Sequence, residues 1–316
     1  MSASQALVRR FTHRYSRRPL PKPNLAYFLW RYLGNGRRAY RRWTSGAATG
    51  DTAAIAGELA SQGIATGPSD RFLSASGRAA LDEASKEILD TARSARVQAV
   101  AASGASATGK KDFVVDLVKY PRGIPADSPL LKVALDPTLL EIVASYLGVW
   151  PCLYAISAWL NFPTPAPPAK SQLWHRDPED LRLIKVFIYL VDVDQQCGPF
   201  TYIPATHPFS PNLAKGHRLD EARRTQDEQM QQVFAPSEWR VCTGPAHTMI
   251  LADTLGFHRG GRPTAGQRVL VTFTYTSRTP LVDHKLYVTG TPPWATLPVQ
   301  RAALELLLDE SAGSQS

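Results

Sequence analysis

SQLWHRDPEDLRLIKVFIYL, residues 171–190, sets a histidine and an aspartate two residues apart at the mouth of an apolar run. In a strand, residues i and i+2 share a face. His175 and Asp177 can therefore aim one imidazole and one carboxylate at a single point, with Arg176 facing away. A second, distant histidine would complete a two-histidine, one-carboxylate ligand set of the kind that holds non-haem Fe(II). With 7 His and 27 Asp+Glu in 316 residues, about 0.6 His-x-acid pairs arise by chance. The rest of the chain must supply a third ligand and a co-substrate site.

Downstream of Gly148 the texture is β. LYAISAWLNF, LIKVFIYLVDV, FTYIPA, SEWRVC, HTMILAD and QRVLVTFTYTS are short runs rich in β-branched and aromatic residues, broken by Pro and Gly. Many short strands with turn signals predict a sandwich or jelly roll. The helical patterns come earlier: DTAAIAGELASQGIA, then SASGRAALDEASKEILDTARSARVQAVAAS, then DPTLLEIVASYLG. In the last of these Asp136 caps, Pro137 suits the first turn and Gly148 stops the helix. The expectation is a mainly β fold with a helical lead-in (51–148), its helices packed on one face of a β core (149–290). Residues 212–234 are polar, helical in pattern and too long for a hairpin loop. They are expected to lie over the barrel mouth as a lid, with Lys215, Arg218, Arg223 and Arg224 toward substrate.

Composition narrows the class. Hydrophobic residues at 44% and charged residues at 20% read as globular, and no apolar run reaches the length of a membrane span. Cys152, Cys197 and Cys242 are too few and too scattered for a disulfide framework or a zinc ribbon, so a reducing cytoplasm is the expected compartment. The net charge of +9 is concentrated at one end: residues 1–50 hold eleven Arg+Lys and no acid, leaving 25 basic and 27 acidic groups elsewhere. This basic extension suits weak contact with an anionic membrane surface. It equally fits an organellar transit peptide, or a solvated segment held down by Phe28, Trp30, Tyr32 and Trp43. A specific nucleic-acid partner is not expected.

The third ligand has five candidates: His207, His217, His247, His258 and His284. His217 falls in the polar insertion and His247 opens a strand. His258, in LADTLGFHRGGRP, sits at a strand end before a Gly-Gly turn. Ten residues on, Arg268 opens QRVLVTFTYTS, and a hairpin would bring it near His258. A planar guanidinium pairs with a carboxylate through two parallel charge-assisted bonds.

WHRD, then KVFIYLVDVDQQCGPFTYIPATH, then ADTLGFHRGG and QRVLVTFTY together resemble the phytanoyl-CoA dioxygenase family of Fe(II)/2-oxoglutarate oxygenases over about residues 55–300. The sequence departs from the family at PATH, where the family often has Gly-Ser, and at AD, where it often has Gly-Asp. The resemblance implies a double-stranded β-helix (jelly roll, cupin-like) with Fe(II) held by His175, Asp177 and His258. It implies 2-oxoglutarate and O2 as co-substrates, with Arg268 on the far carboxylate of 2-oxoglutarate. Asn161 and Phe187 occupy positions that line the 2-oxoglutarate pocket in relatives, and Lys185 shares a strand face with Phe187. The reaction implied is hydroxylation of an unactivated C–H bond in a small-molecule or lipid- or sugar-linked substrate, anionic if the lid cations serve it, with release of succinate and CO2. Asp177 stands where related halogenases have a small residue, which favours hydroxylation. Two other readings remain: an iron oxygenase that does not use 2-oxoglutarate, and a non-enzymatic β-barrel binding module.

Overall fold

Strand alternation sorts the side chains of this protein into two layers. The computed structural model describes residues 25–102, 114–118, 123–165, 167–208, 210, 224–282 and 286–307. Its strands are β1 (Ile64–Pro68), β2 (Val114–Asp116), β3 (Ile124–Pro125), β4 (Cys152–Asn161), β5 (Ile184–Tyr189), β6 (Phe200–Tyr202), β7 (Arg240–Cys242), β8 (Thr248–Ala252), β9 (His258–Gly260), β10 (Arg268–Thr276) and β11 (Val288–Thr289). A six-stranded sheet runs in the order β1-β8-β5-β10-β4-β2, and every pairing in it is antiparallel. A smaller antiparallel sheet has the order β7-β6-β9. The pair β3 and β11 is parallel.

On β5, Ile184, Val186 and Ile188 enter the core shared with the helices, while Phe187 and Tyr189 enter a second core. Val269, Val271, Phe273 and Tyr275 on β10 go to the helical side and Leu270 to the other. That second core also contains Phe200 and Tyr202 of the small sheet and Ile250 and Ala252 of β8. The two sheets therefore pack face to face, and the helices cover only the outer face of the large one. This is the expected arrangement of helices on one side of an antiparallel β core. In the helix Pro137–Leu147, Asp136 accepts from the backbone N–H groups of Thr138 and Leu139 (3.0 and 3.1 Å), and Gly148 ends it at φ 71°.

Residues 25–50 of the expected basic extension do not stand apart from this body. Trp30 is fully buried, and its Nε1–H donates to Asp180 Oδ1 (2.9 Å) and Ser277 Oγ (3.0 Å). Arg38 is buried too. It donates to the backbone carbonyls of Trp150, Pro151 and Ala302 and pairs with Glu305 at 2.5 Å. Counting charge hid these contacts, because a basic segment can bury selected side chains while the remainder stays wet.

The described part of the polar insertion also reaches the core. Lys215, Arg218 and Arg223 lie outside the described residues, as do His217 and His284. Of its described part, only Asp227–Met230 is α-helical, and Met230 and Phe234 are buried against Trp174, Ile203 and Phe257. Arg224 donates to the backbone carbonyl of Lys170. Among the described residues, no helix is long and apolar enough to cross a membrane.

Candidate metal centre

His175 and His258 face each other across one backbone rung. The N–H of His175 donates to His258 O (3.0 Å), and the N–H of His258 donates to His175 O (3.1 Å). Residues opposed in an antiparallel pair point to the same side, and the two rings lie 4.3 Å apart, centroid to centroid. Asp177, whose N–H donates to Thr254 O (2.9 Å), brings its carboxylate to the same point. Its Oδ1 is 3.6 Å from His175 Nε2 and its Oδ2 3.3 Å from His258 Nε2. One ligand atom from each of the three residues lies within 4.8 Å of the others.

Both imidazoles are oriented from behind. His175 Nδ1 lies 2.8 Å from Leu173 O, and His258 Nδ1 lies 3.0 Å from Gly256 O. A carbonyl only accepts, so Nδ1 carries the proton in each ring and Nε2 turns its lone pair toward the shared point. Burial, aided by the neighbouring His258, lowers the His175 pKa to about 3, so this imidazole is neutral and ready to ligate. Burial alone would raise the pKa of Asp177, but the Lys185 ammonium holds it well below the usual carboxylate range. Lys185 Nζ lies 2.8 Å from both Asp177 Oδ2 and Glu179 Oε1. Burial opposes its charge, yet these two carboxylates raise its pKa.

Arg268 opens β10 directly opposite Asn161 on β4. Its guanidinium is buried, with burial lowering its pKa. Its Nε and Nη1 have no hydrogen-bond partner, nor have Asn161 Nδ2 and Thr272 Oγ1. The guanidinium also reaches the strand that carries the distal histidine: a Cβ on Gly260, two residues from His258, would sit 3.3 Å from Arg268 Nη2. Phe187 pairs with Thr272 in register. Its ring lies 4.4 Å from that of Phe200, which in turn stacks on His258 at 5.7 Å. Of the residues expected around a co-substrate, Arg268, Asn161 and Phe187 thus line the inner faces of the strands, and Lys185 sits beside the candidate ligands.

The other described histidines are elsewhere. His247 contacts Ser85 Oγ (3.1 Å) and Asp82 (3.6 Å), and His207 contacts Ala60 O (3.1 Å). Reading the sequence missed Glu179 and Thr272. Glu179 continues the alternate spacing of His175 and Asp177, and Thr272 continues the polar face begun by Arg268, so both carried a signal. A buttress behind the centre carried none. Asp227 accepts from Trp174 Nε1 (2.8 Å) and Arg259 Nη1 (2.8 Å), and Arg259 lies over the rings of Trp174 and Trp239. Trp174 and Arg259 each adjoin a candidate ligand, so the described end of the insertion braces both strands.

No family model matches the chain, and no curated protein matches it in sequence. Several solved structures resemble it in fold. One is EctD from S. alaskensis in its apo form (18% identity, TM-score 0.47, 79% of this chain and 87% of that one). Another is AviO1 from Streptomyces viridochromogenes Tue57 (17%, 0.46, 73% and 97%). A third is SnoN from nogalamycin biosynthesis, a non-haem α-ketoglutarate-dependent epimerase (14%, 0.44, 72% and 82%). Identities and TM-scores this low do not identify the chain.

Proposed function

We propose that this chain is an Fe(II)- and 2-oxoglutarate-dependent oxygenase that hydroxylates an unactivated C–H bond of a small molecule, its two sheets forming a double-stranded β-helix. One observation carries the reading. A three-ligand cluster with both imidazoles fixed in the ligating tautomer shares the inner strand faces with a buried guanidinium that pairs with no anion among the described residues. Leaving a buried cation unpaired is costly, so the site is built for an anionic ligand, and a fork of N–H donors suits a carboxylate.

The donors fit the metal as well. Two imidazoles and one carboxylate are the facial set of non-haem Fe(II) sites. His175, Asp177 and His258 would hold the iron, and Arg268 the far carboxylate of the 2-oxo acid. Together these groups would supply O2 activation coupled to decarboxylation, giving succinate and CO2. The chain's own residues do the rest. Leu173 O and Gly256 O fix the imidazole tautomers. Lys185 keeps Asp177 ionised. Asn161 and Thr272 offer unsatisfied polar atoms along the strands that carry Arg268. Phe187 and Phe200 wall the site with aromatic surface beside His258.

An iron oxygenase without 2-oxoglutarate has no use for the unpaired Arg268, which places that reading second. Anaerobic addition of Fe(II) and 2-oxoglutarate should give the visible charge-transfer band of a chelated 2-oxo acid, and admitting O2 should then release succinate. Iron binding with no response to 2-oxoglutarate would move the assignment to the second reading. No iron binding would end both.

A further inference from the structure

The metal centre makes no use of residues 28–43. Of the nine exposed large hydrophobic residues among the described ones, five fall in this short segment: Phe28, Tyr32, Leu33, Tyr40 and Trp43. The helix Gly36–Thr44 buries Arg38 and Ala39. At about 100° per residue, its opposite arc carries Trp43, Tyr40, Arg37 and Arg41 side by side. Tyr40 is 62% exposed and Trp43 76%. The aromatics form pairs, Phe28 with Tyr32 at 4.7 Å and Tyr40 with Trp43 at 6.1 Å.

Beside this apolar arc opens a cavity of about 620 Å³, lined among others by Arg37, Arg38, Arg41, Arg278, Arg301 and Glu305. The one carboxylate is already engaged, by Arg38 at 2.5 Å and Arg278 at 2.6 Å. Among the described residues, no carboxylate pairs with Arg37, Arg41 or Arg301. The cavity is therefore cationic. Arg37 and Arg41, which line it together with the exposed Leu33, lie on the same helix as the exposed Tyr40 and Trp43.

We propose that this face docks on an anionic phospholipid bilayer, with the exposed aromatics at headgroup level and the arginine cavity taking a lipid phosphate. Trp and Tyr prefer the membrane–water interface, where an apolar ring and a polar tip are both satisfied. Basic side chains near an anionic leaflet add attraction that salt screens. The combination also selects among occupants. Residues 1–24 carry six Arg+Lys and no acid, and this charge would add to attraction by an anionic surface. A soluble anion alone would leave five exposed apolar side chains unexplained.

The test is co-sedimentation of the full-length chain with vesicles of phosphatidylcholine, with and without phosphatidylglycerol, at low and physiological salt. Binding should require phosphatidylglycerol and weaken as salt rises. The double variant Arg37→Glu/Arg41→Glu should lose about tenfold or more in partitioning, and Tyr40→Ser/Trp43→Ser should also bind more weakly. Unchanged thermal unfolding and metal binding would show that both variants are folded. Glycerol phosphate in excess should not displace the protein. Four outcomes overturn the proposal: no binding to either vesicle, equal binding to both, wild-type binding by both variants, or full displacement by glycerol phosphate. The last would make the cavity a site for a small soluble anion.

Discussion

Asp177 and Lys185 form a largely buried ion pair, Nζ to Oδ2 at 2.8 Å with side chains 12% and 16% exposed, on the same carboxylate that faces both His175 and His258. A cation thus already compensates the negative charge of the candidate metal ligand. Lys185→Met would leave Asp177 and Glu179 buried without it. Breaking one side of a buried pair costs about 3–5 kcal/mol, so metal-free Lys185→Met should unfold at clearly lower denaturant concentration. Saturating Fe(II) under anaerobic conditions should close much of that gap, because the divalent ion takes over the compensation. Equal deficits with and without metal would show that Lys185 is a structural strut unconnected to the centre.

The choice of third ligand is tested by exchanging histidines. His258→Ala, His175→Ala and Asp177→Ala should each lose strong Fe(II) binding, read anaerobically by Co(II) substitution and its visible absorption. His247→Ala should bind as the native chain does, since His247 contacts Ser85 and Asp82 instead. A normal spectrum from His258→Ala would place the ligand elsewhere.

Arg268→Leu removes the guanidinium expected to pair with 2-oxoglutarate. The loss should be about 2–5 kcal/mol, or roughly thirty- to several-thousand-fold in affinity, while Fe(II) affinity stays near normal. Lysine at this position should restore only part, because it cannot form the fork. Equal 2-oxoglutarate affinity in Arg268→Leu and the native chain would separate this residue from the co-substrate.

Acid should weaken the metal-free fold through His175. The unfolded imidazole titrates near 6.5, whereas burial holds the folded one at about 3. Between these values the unfolded chain binds more protons. The stability this group contributes is therefore complete above pH 6.5 and is lost as pH falls toward 3, by at most about 1.4 kcal/mol per unit. His175→Asn should show a shallower fall between pH 6.5 and 4 in chemical denaturation. Parallel curves would mean that His175 is not held neutral by the fold.

Trp30 tests whether the N-terminal segment belongs to the body. Trp30→Ala should cost about 3–5 kcal/mol and leave Asp180 without its indole donor. If removing residues 1–44 leaves the unfolding midpoint unchanged, the contacts of Trp30 and Arg38 contribute nothing.

The centre was legible because its spacings are local: His175 and Asp177 are two residues apart, and Arg268 follows His258 by ten residues, although the step crosses between the two sheets rather than closing the expected hairpin. Choosing His258 over His247 also drew on the wider likeness of the motif. The layering of helices on one side was legible because the long helical patterns precede the strands in the chain. What stayed hidden depends on distant partners. Trp30 meets Asp180 across 150 residues, and Met230 and Phe234 find Trp174 and Phe257. No composition window contains both members of such a pair. A basic or polar stretch therefore read as surface when a few of its side chains were core.

The rung that joins His175 to His258 makes iron affinity a gauge of strand alignment. Because side chains alternate, a slip of one residue in either strand would turn one imidazole to the opposite face and dismantle the ligand set at once. Misregistered chains could retain much of their apolar packing and nearly native secondary structure, yet they would not hold the ion. Metal retention thus separates correctly threaded molecules from near-misses that spectroscopy of the backbone alone would count as folded.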